Sequence, residues 1–164
     1  MKQSIYIKLD QISQEWVLYA WGPEITKKNM LGIILGPYLK YIPKQGYPGL
    51  KNIINNPDYL KLELVSKLND KDLRCNIYIA ARYHHDIELS IKDAMRFDFT
   101  RYMEIMGSLN KMTITHLIET YIEKNNLPGE KLNFDYFKKY YYKSRSVENY
   151  PKKGSFVASI GFGY

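Results

Sequence analysis

The chain has 164 residues, of which 45% are hydrophobic and 15% aromatic, and its formal net charge at pH 7 is +7. This hydrophobic content is too high for an intrinsically disordered chain, and the length suits a single domain over 1–164. The single cysteine, Cys75, excludes an internal disulfide, and no apolar stretch is long enough to predict a membrane span. The first residues do not resemble a signal peptide, so we expect a cytoplasmic protein.

The chain opens with a predicted strand and a predicted helix. Apolar and polar residues alternate over Ser4–Leu9, which is typical of a half-buried strand. Asp10 can cap the helix that follows, and Gly22-Pro23 predicts its end. The sequence therefore predicts a β-then-α unit.

The middle of the chain alternates between helix and strand signals. A second helix is predicted from a cap at Thr26 to Tyr41, kinked or broken at Gly36-Pro37. An irregular connection follows. Two alternating runs, 60–64 and 73–79, then flank a polar turn, and this pattern predicts a β-hairpin.

The second half of the chain is predicted to be mostly helical. Apolar residues recur at three or four residues over 87–106, and Gly107-Ser108 predicts a break. A further helix is predicted to begin at Thr113. Asn133 is the predicted cap of the last helix, over 134–148, which would bury its apolar face and leave its basic residues outside.

These elements predict an α+β fold: a small, mainly antiparallel sheet of about three or four strands packed by four or five helices. Residues 1–80 are expected to hold most of the sheet with one or two helices, and residues 81–150 most of the helices. A last strand is predicted over 155–160, and 161–164 is predicted to be a flexible end.

Positive charge is concentrated near the end of the chain. Five of the seven net positive charges fall within 138–153, where Glu148 is the one acidic residue. Such a local field attracts polyanions, and interleaved tyrosines can stack on bases or bond to phosphate. The predicted nucleic-acid-binding residues here are Lys138, Lys139, Tyr142, Lys143, Arg145, Tyr150, Lys152 and Lys153.

A second basic stretch, Ile25 to Pro57, contains no acidic residue. Its lysines extend the predicted binding track if the two stretches share one surface; those predicted to take part are Lys27, Lys28, Lys40 and Lys44. The alternative is a solvated charged face, or one that contacts an acidic protein.

Several stretches resemble parts of small proteins carried by phages and other mobile elements. They are Ile5–Asp10 with Glu15–Val17, Leu117–Lys124, Asn133-Phe134 and Lys138–Arg145. The resemblance covers about half the chain and includes no diagnostic catalytic motif. It implies DNA contact through a basic, helix-turn-helix-like C-terminal segment, although the predicted connection between the last two helices is longer than in the usual motif.

Catalytic and metal-binding signals are weak. His84-His85-Asp86 with Glu88 is the one cluster that resembles metal ligands, but adjacent histidines point in different directions, so we interpret it as a polar strand-to-helix junction. His116 is interpreted as a boundary residue. The sequence has no glycine-rich phosphate loop, Gly-x-Ser-x-Gly or HExxH motif, and its tyrosines lack the histidine or arginine partners of tyrosine nucleophiles. We predict no enzyme, no metal and no cofactor.

The charge pattern favours a non-enzymatic protein that binds nucleic acid through its basic C-terminal helix. The favoured nucleic acid is DNA. The alternative is a protein-interaction module, such as a small inhibitor or regulator, that docks on an acidic or nucleic-acid-binding protein. Both would present the same basic surface, and the sequence does not predict an oligomeric state.

Overall fold

A computed structural model describes residues 3–26, 28–43, 50–65, 75–109, 112–127 and 130–148. Over these residues, six α-helices pack with two small β-sheets of three and two strands, which confirms the predicted α+β class. The predicted strand over 155–160 and the predicted flexible end lie outside the described residues.

Strand β1 (Gln3–Lys8) leads into helix α1 (Gln11–Ala20), as the sequence predicts. The Asp10 carboxylate accepts a hydrogen bond of 2.8 Å from the backbone N–H of Ser13, which satisfies one of the donors that a helix start leaves open. Gly22 has a φ of +74°, a left-handed conformation that glycine adopts without a Cβ clash. Local residues therefore define both ends of this helix.

Strand β4 (Tyr59–Leu64) is the centre of the larger sheet. On one side it pairs antiparallel with β1, with Ile5 opposite Leu62. On the other side it pairs parallel with the two-residue strand β2 (Glu24–Ile25), so this sheet is mixed. A crossover through α1 thus connects β1 to β2.

The smaller sheet pairs β3 (Leu39–Pro43) antiparallel with β5 (Cys75–Ile79). The predicted hairpin between 60–64 and 73–79 is therefore wrong, because β4 and β5 pair with different strands from earlier in the chain. Alternation specifies which face of a strand is buried, and it does not specify the neighbouring strand.

Helix α2 (Met30–Leu35) is shorter than the sequence predicts, and Asn29 caps it in place of Thr26. Oδ1 of Asn29 accepts a hydrogen bond of 2.9 Å from the Gly32 N–H. Proline has no N–H to continue a helix, so the chain makes a 3₁₀ turn over Gly36–Tyr38 and then enters β3. A short helix, α3 (Leu50–Ile54), lies in the stretch that was predicted to be irregular.

Three helices form the second half of the described chain: α4 (His84–Leu109), α5 (Ile114–Lys124) and α6 (Glu130–Glu148). Thr113 caps α5, as predicted. Gly107 does not break α4, which continues to Leu109. Asn133 is not the cap of the last helix, because α6 already begins at Glu130 and buries Asn133.

One hydrophobic core joins the larger sheet to α1, α2, α4, α5 and α6. An aromatic cluster occupies its helical side, where the Phe99 ring lies 4.8 Å from Phe137 and 5.1 Å from Tyr121. These contacts fix α4, α5 and α6 against one another. Over the described residues, no helix is long and apolar enough to cross a bilayer.

Candidate nucleic-acid interface

Helix α6 separates apolar from basic residues. With about 3.6 residues per turn, positions 133, 137, 141 and 144 fall on one face, and this face is turned to the core: Phe137 and Tyr141 are buried. The opposite face is exposed, and we call it the α6 outer face. Its described members among the predicted binding residues are Lys138, Lys139, Tyr142, Lys143 and Arg145.

The inner face anchors the helix at several points. Besides the contact of Phe137 with Phe99, its ring lies 5.1 Å from that of Tyr121, and the Arg96 guanidinium lies 5.5 Å from the centre of the Tyr140 ring. The Tyr136 hydroxyl and the Asp93 carboxylate act against burial to raise the pKa of Arg96. The outer face is therefore presented on a helix whose rotation about its own axis is fixed by packing.

Two cations of the α6 outer face lie beside aromatic rings. Nζ of Lys138 is 5.5 Å from the centre of the Phe134 ring, and the Arg145 guanidinium carbon is 4.8 Å from the centre of the Tyr141 ring. Within the described part of the chain, no carboxylate lies within ion-pair distance of Lys138, Lys139 or Arg145. These three charges are therefore not neutralised by the described carboxylates.

One carboxylate, Asp135, is exposed on the same side of α6, about one turn before Lys138 and Lys139 and about two turns before Tyr142. Tyr142 is 54% exposed, and its ring meets Tyr141 edge-on at 5.5 Å. The described outer face thus presents mainly positive charge with one accessible aromatic ring at its centre. This composition suits contact with a phosphate backbone and an adjacent base.

The second basic stretch lies on other elements. Lys28 and Lys40 are exposed, the first before α2 and the second on β3. Helix α2 packs against α4 and β2, and β3 pairs with β5, so neither packs extensively on α6. Continuity of the two basic stretches stays a prediction, and the other predicted binding residues, Lys27, Lys44, Tyr150, Lys152 and Lys153, lie outside the described residues.

The histidine cluster has a structural arrangement. His84 is buried at the start of α4, and its Nδ1 accepts a hydrogen bond of 2.9 Å from the backbone N–H of Lys8 in β1. Burial lowers the pKa of His84, against a bond to the backbone of Ile79 that raises it. The His84 ring therefore joins β1 to the β5–α4 junction in its neutral form.

The other members of the cluster point elsewhere. His85 is exposed, and Glu88 is bonded at 2.6 Å to Nζ of Lys92, which also pairs with Asp10 at 2.7 Å. No group of three or more potential metal ligands occurs among the described residues. His116 is exposed on α5, with Nδ1 3.8 Å from the Glu119 carboxylate.

The structure contains a groove that the sequence did not predict. It lies where the end of α1 meets α4 and α5, and its cavity volume is about 440 Å³. Its charged lining residues, Asp98, Arg101 and Lys124, come from two helices, and Tyr19 comes from a third. Separate helices supply these residues, and no local motif signals such a combination. Only the helix packing brings them together.

The fold and these surfaces define a small α+β protein with a basic helical face. Comparison of the chain with known protein families, with curated proteins and with solved structures gives no significant match. The resemblance to phage and mobile-element proteins therefore stays a prediction.

Proposed function

We propose that this protein is a non-enzymatic nucleic-acid-binding protein. Its main ligand is DNA, which it contacts through the α6 outer face. The observation that carries this proposal is the exposure of Lys138, Lys139, Lys143 and Arg145 on one side of a helix whose other side is locked into the core. Each phosphate neutralised by such a cation releases condensed counterions, which favours binding.

The arrangement of charge on α6 supports a polyanionic ligand. Lys139 and Lys143 are four residues apart, a spacing at which like charges disfavour an isolated helix by roughly 0.2 to 0.5 kcal/mol. A phosphate backbone along this face would convert that repulsion into attraction. Arg145 adds a planar group that can bond two phosphate oxygens, and Tyr142 adds a ring for hydrogen bonding or stacking.

The proposal includes no catalytic step. Nδ1 of His84 accepts a hydrogen bond from the backbone of β1, and Glu88 is bonded to Lys92. The role we propose is contact and positioning on nucleic acid in the cytoplasm. A phage or mobile-element origin suits this role and rests on the sequence resemblance alone.

The test is a salt titration of binding to a labelled DNA duplex, followed by fluorescence anisotropy. The logarithm of the affinity should fall linearly with the logarithm of the salt concentration, and Lys139→Ala should reduce the slope by about one. The double variant Lys138→Ala/Lys139→Ala should reduce it by roughly two. Alanine preserves helix propensity, so these variants should keep their fold.

Lys61→Ala is the matched control, because Lys61 is exposed on β4 and its loss changes the net charge by the same amount. It should leave the slope unchanged. An equal effect of Lys61→Ala and Lys139→Ala would contradict a defined binding face. No measurable DNA or RNA binding at low salt would instead favour the protein-interaction module that docks on an acidic partner.

A further inference from the structure

The groove between α1, α4 and α5 has the dimensions and composition of a ligand site. Its volume of about 440 Å³ lies within the range of small-molecule pockets, roughly 300 to 1,000 Å³. The apolar and aromatic part of its lining includes Tyr19, Tyr102, Ile105 and Met106. Tyr19 is 48% exposed and Ile105 is 45% exposed, so the groove has an accessible apolar surface.

The charged groups of the groove differ in whether they have a bonding partner of opposite character. Oδ2 of Asp98 accepts a hydrogen bond of 2.9 Å from the Tyr121 hydroxyl, which occupies one side of this carboxylate. Arg101 and Lys124 are both exposed, and neither has a carboxylate within ion-pair distance among the described residues. Nζ of Lys124 lies 5.6 Å from the centre of the Tyr102 ring. Two cations are thus available to an anionic group in the groove.

One polar atom in the groove's lining residues lacks a partner. The Tyr102 hydroxyl is buried and has no hydrogen-bond partner in the described part of the chain. Burial also raises the pKa of Tyr102, so the hydroxyl stays protonated and can donate. Most buried polar side-chain atoms in folded proteins are bonded, so this hydroxyl is an exception. Because the hydroxyl oxygen is closed to solvent, a ligand in the groove meets the Tyr102 ring and not its hydroxyl.

We propose that the groove binds a single nucleotide unit, with the base against the apolar wall and the phosphate on Arg101 and Lys124. This inference rests on the proposed function and deepens it, because it adds a second contact away from the α6 outer face. A flat aromatic base suits the wall formed by Tyr19, Ile105 and Met106, and base stacking on aromatic side chains tolerates any base.

The consequence is a preference for single strands. A base can enter this groove only if it is unpaired and unstacked, whereas phosphate contacts along α6 are possible with either a duplex or a single strand. The protein should therefore bind a single-stranded oligonucleotide more tightly than a duplex of the same length.

The test uses adenosine monophosphate as the probe, titrated into the full chain and followed by amide NMR shifts and calorimetry. Shifts should cluster at the groove, and adenosine and inorganic phosphate should each bind about tenfold more weakly or not at all. Arg101→Ala and Lys124→Ala should each weaken nucleotide binding about threefold to fivefold, as for exposed charge contacts. Tyr102→Phe removes a hydroxyl that is closed to solvent, so it should leave nucleotide binding unchanged.

Two controls separate this proposal from the first. Lys61→Ala removes the same charge on the sheet, and Lys139→Ala removes it from α6; both should leave the affinity for the mononucleotide unchanged. Equal binding of phosphate and nucleotide, or shifts confined to α6, would overturn the groove proposal while leaving the α6 interface standing. Loss of DNA binding in Lys139→Ala with nucleotide binding intact would support the two contacts separately.

Discussion

The Tyr121 hydroxyl donates a hydrogen bond of 2.9 Å to Oδ2 of Asp98, and the Tyr121 hydroxyl oxygen accepts a bond of 3.3 Å from the indole Nε1 of Trp16. Tyr121 is buried, and desolvation together with the Asp98 carboxylate raises its pKa. The protonated hydroxyl therefore connects the buried indole of α1 to an exposed carboxylate of α4. Asp98 and Tyr121 line the groove, so this short chain of hydrogen bonds connects its wall to the buried indole.

Tyr121→Phe should destabilise the protein by about 1 to 3 kcal/mol, because it leaves the buried Trp16 N–H without an acceptor and removes the bond to Asp98. Urea unfolding measures the loss as a lower midpoint with an unchanged slope. Tyr142→Phe removes an exposed hydroxyl and is the matched control. Equal midpoints for the two variants would show that the Trp16 and Asp98 bonds contribute nothing net.

His84 should make stability depend on pH. Its pKa is lowered in the folded state by burial, while the unfolded chain titrates near the ordinary value of about 6.5. The unfolded state therefore binds more protons than the folded state as the pH falls below about 6.5. The contribution of neutral His84 to the free energy of unfolding is complete above that pH, and it is lost at lower pH by at most about 1.4 kcal/mol per pH unit. Lys8 adds to this effect, since its charge also disfavours a protonated ring.

The variant His84→Asn tests this dependence, because its side-chain oxygen can still accept from Lys8 N–H but does not titrate. Its unfolding free energy should fall less than that of the wild type between neutral and mildly acidic pH. His85→Asn, at the exposed neighbouring position, should keep the wild-type dependence. Identical pH profiles for His84→Asn and the wild type would rule out His84 as the titrating group.

Gly32 should tolerate no side chain. A Cβ at this position would overlap the backbone carbonyl oxygen of Thr26, which cannot move without disturbing the Asn29 cap of α2. Gly32→Ala should cost more than about 2 kcal/mol, in the range of severe steric defects. Gly36→Ala, where a Cβ would meet nothing within 4 Å, should be neutral or slightly stabilising in thermal unfolding. Equal melting temperatures for the two variants would contradict the close approach.

The parts of the fold that depend on neighbouring residues could be predicted from sequence. The Asp10 and Thr113 caps, the left-handed Gly22 and the division of α6 into an apolar and a basic face all follow from spacings of a few residues. Pairing of the strands did not follow, because β1, β4 and β5 carry similar alternating patterns and only tertiary packing selects their partners. The cap at Asn133 failed because Glu130 already lies in the helix, where core packing outweighs capping preference.

The candidate sites divide in the same way. The exposure of Lys138, Lys139 and Arg145 could be predicted, since helical periodicity places them opposite Phe137. The groove could not, because Tyr19 and Lys124 are brought together from opposite halves of the chain by α4. A surface site on one helix can be predicted from the sequence, whereas a site between helices can be predicted only when the packing of those helices is known.

The hydrogen bond between Trp16 and Tyr121 joins residues 105 positions apart. A ribosome adding roughly 5 to 20 residues per second leaves the first helix without its partner for about 5 to 20 s of translation. During that interval the emerging amino-terminal half exposes an indole and unpaired strand edges, which are the features that chaperones bind and that promote misassembly. A chain that terminates before the fifth helix would therefore lack the Tyr121 acceptor of this indole.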